Sequence, residues 1–262
     1  MLKIIVLVKQ VPNTTQVKID PETNNLVREG IPSIVNPFDL YAIEEALLLK
    51  EKFGASVTAL TMGPPQAREV LKYAMALGVD QGVLLSDRAF AGADTLATSY
   101  TLSAGIKKIG IPDIVICGKM AIDGDTAQVP VELAEHLNIG CLTNVSQVLE
   151  IKTGKLKAVS TMDFSQLKIS VKLPAVLAVN KGINEPRLPM LKDMARASHM
   201  KCNTLTVNDL NLDKNRISIA GSPTWVVKVF APESNRKGRI LEGSIDKQVE
   251  EVLKVLKEHE AV

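Results

Sequence analysis

The chain has 262 residues, is 46% apolar and 23% charged, and carries a formal net charge of +2. That length supports one large core, or a core with a smaller part beside it, in a globular protein of ordinary composition. Near-neutral charge and a single Trp, Trp225, argue against a nucleic-acid surface, a base-stacking platform and a polybasic membrane anchor.

In chain order, "KIIVLVK" (3–9) reads as a buried strand by its length and β-branching. It is too short for a signal peptide's apolar stretch. "VKIDPETNNLVREG" (17–30) alternates, turns at Pro21–Asn25 and alternates again, as a hairpin does. "NPFDLYAIEEALLLKEKFG" (36–54) reads as a helix. Asn36 suits its cap, Pro37 its first position and Gly54 its exit. Leu40, Ile43 and Leu47 make its apolar stripe. A strand at 56–62, a helix ending at Gly78 and a strand at 82–87 follow. A helix over 92–110, with Asp94 as a candidate cap, leads to the strand "DIVICGK" (113–119) and then to the helix "TAQVPVELAEHLN" (126–138).

This alternation predicts an α/β fold: a doubly wound, mostly parallel sheet with helices on both faces. After Gly140 the pattern changes to three β-rich segments, "LTNVSQVLEI", "KLKAVSTMDF" and "LKISVKLPAVLAVN". They turn at 152–155 and 165–166, and either extend the sheet as added antiparallel strands or form a separate lobe. Residues 184–202 read as a loop leading into a short helix. Residues 203–244 are irregular, and 244–260 form an amphipathic helix. The expected division is a nucleotide-binding α/β domain over 1–202 and a C-terminal arm over 203–262 that lies on another subunit.

No apolar run is long enough to span a membrane. Cys117, Cys141 and Cys202 are scattered without a CxxC, which points away from a disulfide framework or a metal centre and towards a reducing, cytoplasmic setting. Cys117, inside a strand, reads as packed and inert.

In an open α/β sheet, ligands bind beyond the carboxyl ends of the strands at the topological switch. Four loops qualify: 9–12, 62–65, 87–95 and 119–128. Neither the G-x-G-x-x-G fingerprint nor a P-loop is present. The loop "AIDGDTAQV" still offers a nucleotide site. Gly124 lets backbone approach a ligand. The N–H groups of Thr126, Ala127 and Gln128 would open the next helix and face phosphate. Asp123 and Asp125 suit ribose hydroxyls, or Asp125 simply caps the helix. Lys9 suits either a ligand or a solvated strand end. Asp39, Glu44 and Glu45 read most simply as the acidic start of a helix. His136 reads as a surface residue, and no nucleophile–base constellation can be assembled. The residues alone therefore describe a cofactor holder. A free-standing adenine-nucleotide sensor is the rival class.

Taken together and in order, "VLVKQVP", "VNPFDLYAIEEAL", "TMGPPQA", "GKMAIDGDTAQVP", "VKLPAVLAVNKGINEPR" and the terminal arm resemble the beta subunit of electron transfer flavoprotein. Where many members of that family have an acidic-Gly-Gly turn, this chain has "MDFSQ" (162–166). The resemblance implies a heterodimer with an FAD-carrying alpha subunit and a second nucleotide in the beta-subunit crevice. That nucleotide is AMP in one branch of the family. In the electron-bifurcating branch it is a second FAD that exchanges a hydride with NAD(H) and divides electrons between ferredoxin or flavodoxin and the alpha-subunit flavin. Gly124, Thr126 and the segment 86–102 look like the bifurcating branch.

Carried onto matching positions, the resemblance implies cofactor contacts from Leu7 and Lys9, from Asn36, Pro37, Phe38 and Asp39, and from Met62 and Gly63. It adds Asp94, Thr95 and Thr98 at the pyrophosphate or the NADH face. It also adds the run Lys119, Met120, Ala121, Ile122, Asp123, Gly124, Asp125, Thr126, Ala127, Gln128 and Val129. Lys119 either tunes the flavin or contacts phosphate. The loop 184–200 would dock a flavin-containing dehydrogenase, of the acyl-CoA or lactate type, through Leu191 and Met194; the plainer reading makes those two residues core of a short helix.

Overall fold

The computed structural model describes residues 1–13, 18–19, 26–27, 32–225, 227, 238 and 240–259. The turn expected at Pro21–Asn25 and most of 226–239 lie outside the described residues. The first strand, β1 (Lys3–Leu7), is followed by β2 (Gln10–Pro12), β3 (Lys18–Ile19), β4 (Leu26–Val27) and β5 (Ser33–Val35). β3 pairs antiparallel with β4, as the expected hairpin requires, and β2 pairs antiparallel with β5. Next come α1 (Pro37–Phe53), β6 (Ser56–Met62), α2 (Arg68–Leu77), β7 (Gln81–Leu85), α3 (Thr95–Ile109), β8 (Ile114–Gly118) and α4 (Val129–Leu137). Then follow β9 (Gly140–Lys152), β10 (Lys155–Thr161), β11 (Gln166–Lys172), β12 (Ala175–Val179), α5 (Leu191–His199), β13 (Asn203–Leu205) and α6 (Ile245–Glu258).

One nine-stranded sheet runs in the order β11-β10-β9-β12-β8-β1-β6-β7-β13. Period-two alternation divides its side chains between two faces. Ile4 and Val6 of β1 join one buried cluster with Ile43 and Leu47 of α1 and Leu71 of α2. Ile5 and Leu7 join the other, with Leu102 and Ile106 of α3 and Leu133 of α4. The sheet is mostly parallel, with antiparallel β9-β10-β11 at one end. The late β-rich segments therefore extend the sheet and form no separate lobe. The third of them splits at a cis Leu173–Pro174 bond. Its second half, β12, enters the middle of the sheet, parallel to both β8 and β9.

The first twenty residues expected to be irregular arm also stay with the domain. β13 extends the sheet edge beside β7, and Leu210 and Ile217 are buried in the second cluster. α6, by contrast, has no buried residue.

Strand order reverses between β1 and β8. From β1 the chain winds outward through β6 and β7, then crosses back to β8 on the other side of β1. Asp39, in the first turn of α1, is buried at this point and accepts the Lys9 N–H at 2.8 Å. A Cβ on Gly118, at the end of β8, would lie 2.6 Å from the Asp39 carboxylate and 2.7 Å from Phe38. The close approach of α1 to β8 thus requires glycine there. Burial pushes the Asp39 carboxyl up to about 7, against the pull of hydrogen bonds from Asn36 and Lys9.

Glu44 and Glu45, expected merely to open a helix, are buried and hold a distant segment. The Arg187 guanidinium grips Glu44 through Nε and Nη2, both at 2.8 Å, and reaches Glu51 at 2.7 Å. Asn184 donates to Glu45 at 3.1 Å. The hydrogen bonds to Glu44 and Glu51 hold the Arg187 pKa above its ordinary value. This grip fixes the approach to α5.

Two predictions follow from these buried acids. The folded chain keeps the Asp39 proton up to about pH 7, whereas an unfolded chain loses it near 3.8. This group therefore lowers stability as pH rises between those values, by about 1.4 kcal/mol per pH unit. In denaturant titrations, Asp39→Asn should gain stability relative to the parent from pH 4 to 7; parallel curves would contradict the burial. Glu44→Ala should cost about 1–3 kcal/mol, because it strips a guanidinium of its partner, and should speed amide exchange across 184–200.

Candidate functional site

The site is built at the switch point, from the carboxyl ends of β1 and β8 and the start of α1. The loop from Lys119 to Gln128 leaves β8, and its first N–H is tied to Val179 of β12 at 2.9 Å. Asn36 does not cap α1 with its side chain. Its amide instead donates to the Met120 carbonyl at 2.9 Å, and its carbonyl accepts the Ile122 N–H at 3.3 Å. One buried side chain therefore clips the loop to the start of α1.

Beyond that clip the loop turns back on itself, and the Asp125 N–H meets the Ala121 carbonyl at 2.8 Å. Asp125 and Ala127 adopt left-handed conformations, with φ of 53° and 54°. These break the helix expected from Thr126, and α4 starts at Val129. Pro130 explains the shift: in a helix already running from Thr126, its ring would strike the carbonyl four residues earlier. At the second position of α4 that clash is absent. Asp125 accordingly is no N-cap.

The N–H groups of Thr126, Ala127 and Gln128 have no acceptor among the described residues, so they present an exposed edge of donors. Gly124 is exposed, avoids positive φ, and a Cβ there would meet nothing within 4 Å. Nothing inside the protein demands glycine at 124, in contrast to Gly118.

Across the crevice, the Lys9 ammonium holds both oxygens of Asp123, at 2.7 and 2.8 Å. The side chains are 48% and 29% exposed, so this pair adds little stability. What it does is strap the end of β1 to the loop. Leu7 is buried beneath it, and Pro37 and Phe38 are half-buried at the start of α1. Met62 and Gly63 end the neighbouring strand β6, with the Gly63 N–H donated to Leu85.

On the other side, the Thr95 hydroxyl lies 3.1 Å from both the Gln128 and Glu132 side chains. The start of α3 is thereby joined to the end of the loop. Glu132 did not emerge from sequence reasoning, although it stands one helical turn beyond Gln128. Thr98 is half-buried one turn into α3. Asp94 caps α3 through the Ala97 N–H at 3.1 Å and also holds the Thr224 N–H and hydroxyl, at 3.1 and 2.9 Å. Burial alone would raise its pKa, but these hydrogen bonds outweigh it and hold the carboxyl below its ordinary value. Its carboxylate thus anchors residues 222–224.

His136 is not a surface residue: it is half-buried with its ring edge-on to Tyr100 at 5.6 Å. Burial, followed by the charge of Arg216, lowers its pKa. Cys117 is buried, and burial raises its thiol pKa well above the ordinary value, which keeps it unreactive. No cluster of three metal-ligating side chains occurs among the described residues. Leu191 and Met194 lie apart from the crevice on α5, which packs against α2. They are 86% and 48% exposed, so Leu191 is not helix core.

The arrangement can hold a nucleotide by its phosphates and sugar. The N–H groups of Thr126, Ala127 and Gln128 could supply the anion side, with Lys9 and Lys119 at the two strand ends that flank the loop. Asp123 supplies a hydroxyl acceptor, and the bare backbone at Gly124 allows close approach. These features fit a phosphorylated cofactor.

Comparison with known proteins shows the family of the chain. The electron transfer flavoprotein domain family matches residues 23–210. The beta subunit of electron transfer flavoprotein from Thermoanaerobacterium thermosaccharolyticum is 46% identical over 256 residues, covering 97% of this chain and 98% of that one. Subunit CarD of the caffeyl-CoA reductase-Etf complex of Acetobacterium woodii is 41% identical, covering 95% of each chain. Protein FixA of Azotobacter vinelandii is 42% identical, covering 89% of this chain and 85% of that one. With a domain match across most of its length and relatives of this identity, the chain belongs to the electron transfer flavoprotein family, on its beta-subunit side.

Proposed function

We propose that this chain is the small subunit of a bifurcating electron transfer flavoprotein and that its switch-point crevice holds FAD. The observation that carries this reading is the loop at 119–128. It combines N–H donors that have no acceptor among the described residues with an uncrowded Gly124 and small neighbours, Thr126 and Ala127, which favours a ligand bulkier than a monophosphate. A relative named for a caffeyl-CoA reductase-Etf complex supports the same assignment. When bound, the flavin would exchange a hydride with NAD(H) and divide electrons between ferredoxin or flavodoxin and the alpha-subunit flavin.

The chain's own residues bind and orient. Lys9, Lys119 and the N–H groups of Thr126, Ala127 and Gln128 take the phosphates. Asp123 takes ribose hydroxyls. Leu7, Pro37, Phe38, Met62 and Gly63 line the walls. Asn36 and Thr95 hold the loop between α1 and α3. Lys119 also places a cation beside the cofactor, which favours added negative charge there.

The exposed apolar face of α6, with Val249, Val252 and Leu253, seats on the alpha subunit. Leu191 and Met194 form the contact with a flavin-containing dehydrogenase, where an exposed apolar anchor can fill a partner's pocket.

Two measurements test the reading. The purified alpha–beta heterodimer should carry two FAD and bleach on addition of NADH; one FAD with one AMP would overturn the FAD assignment. Because Gly124 has open space around its Cβ, Gly124→Trp should leave the fold and the alpha-subunit flavin in place while removing the second flavin. Unchanged flavin content in that variant would move the site elsewhere.

A further inference from the structure

We propose that a second site lies beneath α5: a cavity of about 600 Å³ that takes an uncharged, amphipathic small molecule with an apolar body and one hydrogen-bonding edge. The cavity is bounded by α1, α2, α5 and the β2–β5 pair. Val35, Leu40, Val70 and Ala76 form its floor, and Met194 and Ala197 of α5 its roof. Its volume and apolar lining with a few polar groups are those of small-molecule sites.

The polar groups define the class of ligand. Glu69 and Lys72, both on the wall, are paired at 3.3 Å and cancel one another. A ligand with net charge would gain nothing there and would lose hydration. Tyr73 brings a hydroxyl that makes no hydrogen bond among the described residues. The Gln10 amide nitrogen is engaged, at 3.4 Å, by the Gln66 carbonyl, which leaves its own carbonyl oxygen as an acceptor. The wall therefore offers one hydroxyl and one amide oxygen to the polar edge of a neutral molecule, and apolar surface to the rest.

Occupancy would also act on α5. That helix buries only Ala197, in a small cluster with Met75 and Ala76 of α2. A ligand touching Met194 and Ala197 adds contacts to a lightly held element, so amide exchange across 191–199 should slow when the cavity is filled. The cavity shares only Pro37 with the residues assigned to the nucleotide crevice and none with the loop at 119–128, and neither Tyr73 nor Ser198 belongs to that crevice.

The test uses 4-phenylphenol as probe, titrated calorimetrically into the intact heterodimer with its cofactors. One saturable site on this chain is expected, with slowed exchange across 191–199. Ser198→Phe, at an exposed position on the cavity wall, should weaken binding at least about tenfold. Tyr73→Phe removes a single oxygen and should weaken it by about threefold to tenfold. Flavin content should be equal in all three proteins. Absence of saturable binding, or binding unaltered by Ser198→Phe, overturns the site. Binding unaltered by Tyr73→Phe overturns the hydrogen-bonding edge.

Discussion

The buried Asp39 carboxyl group, hydrogen-bonded to the N–H of Lys9 and pressed against Gly118, ties together the three elements from which the crevice is made. It joins the end of β1, the start of α1 and the end of β8 where strand order reverses. A carboxylate in apolar surroundings is costly unless its oxygens are engaged. Here the hydrogen bonds from Lys9 and Asn36 offset that cost only in part, so the group keeps its proton up to about pH 7. Because α1 sits so close to β8, Asn36 can reach over the strand end and clip Met120 and Ile122. The loop that faces a ligand is thus shaped from below and not by its own sequence alone.

On the proposed reading, this is how an acidic loop would serve a phosphate. One of its two carboxylates is paired with a lysine, and the other belongs to a residue in a left-handed turn. Asp123 is held by Lys9, and Asp125 occupies a left-handed turn that delays α4 until Val129. The delay leaves the N–H groups of Thr126, Ala127 and Gln128 outside the helix, with no acceptor among the described residues. The proposed anion site would be one of loop amides and lysines more than of a helix terminus.

Much of this fold was legible in the sequence, because apolar periodicity and Gly and Pro punctuation act locally. β1, α1, β6 and β8 fall where their patterns place them, and Gly54 ends α1 in a left-handed conformation as its position suggested. What was illegible depends on distant partners. Glu44 reads as a first-turn acid, yet it pairs with Arg187, 143 residues away. β12 follows β11 in the chain but lies three strands from it in the sheet. Asn36 has the residue type of a cap and spends its side chain elsewhere. Within the site, Gly124 and the N–H donors could be named from the loop sequence. Glu132 could not, because only the packing of α3 on α4 brings it to Thr95. α5 and α6 stand apart, exposing apolar side chains on elements that the core holds lightly.

The central claim is that the nucleotide lies at the switch point, between β1 and β8. A crystal structure of the heterodimer with its cofactors tests it most directly. The account predicts phosphate density against the N–H groups of Thr126, Ala127 and Gln128, within reach of Lys9 and Lys119. Nucleotide density at another strand end, with this loop contacting only solvent, would contradict it.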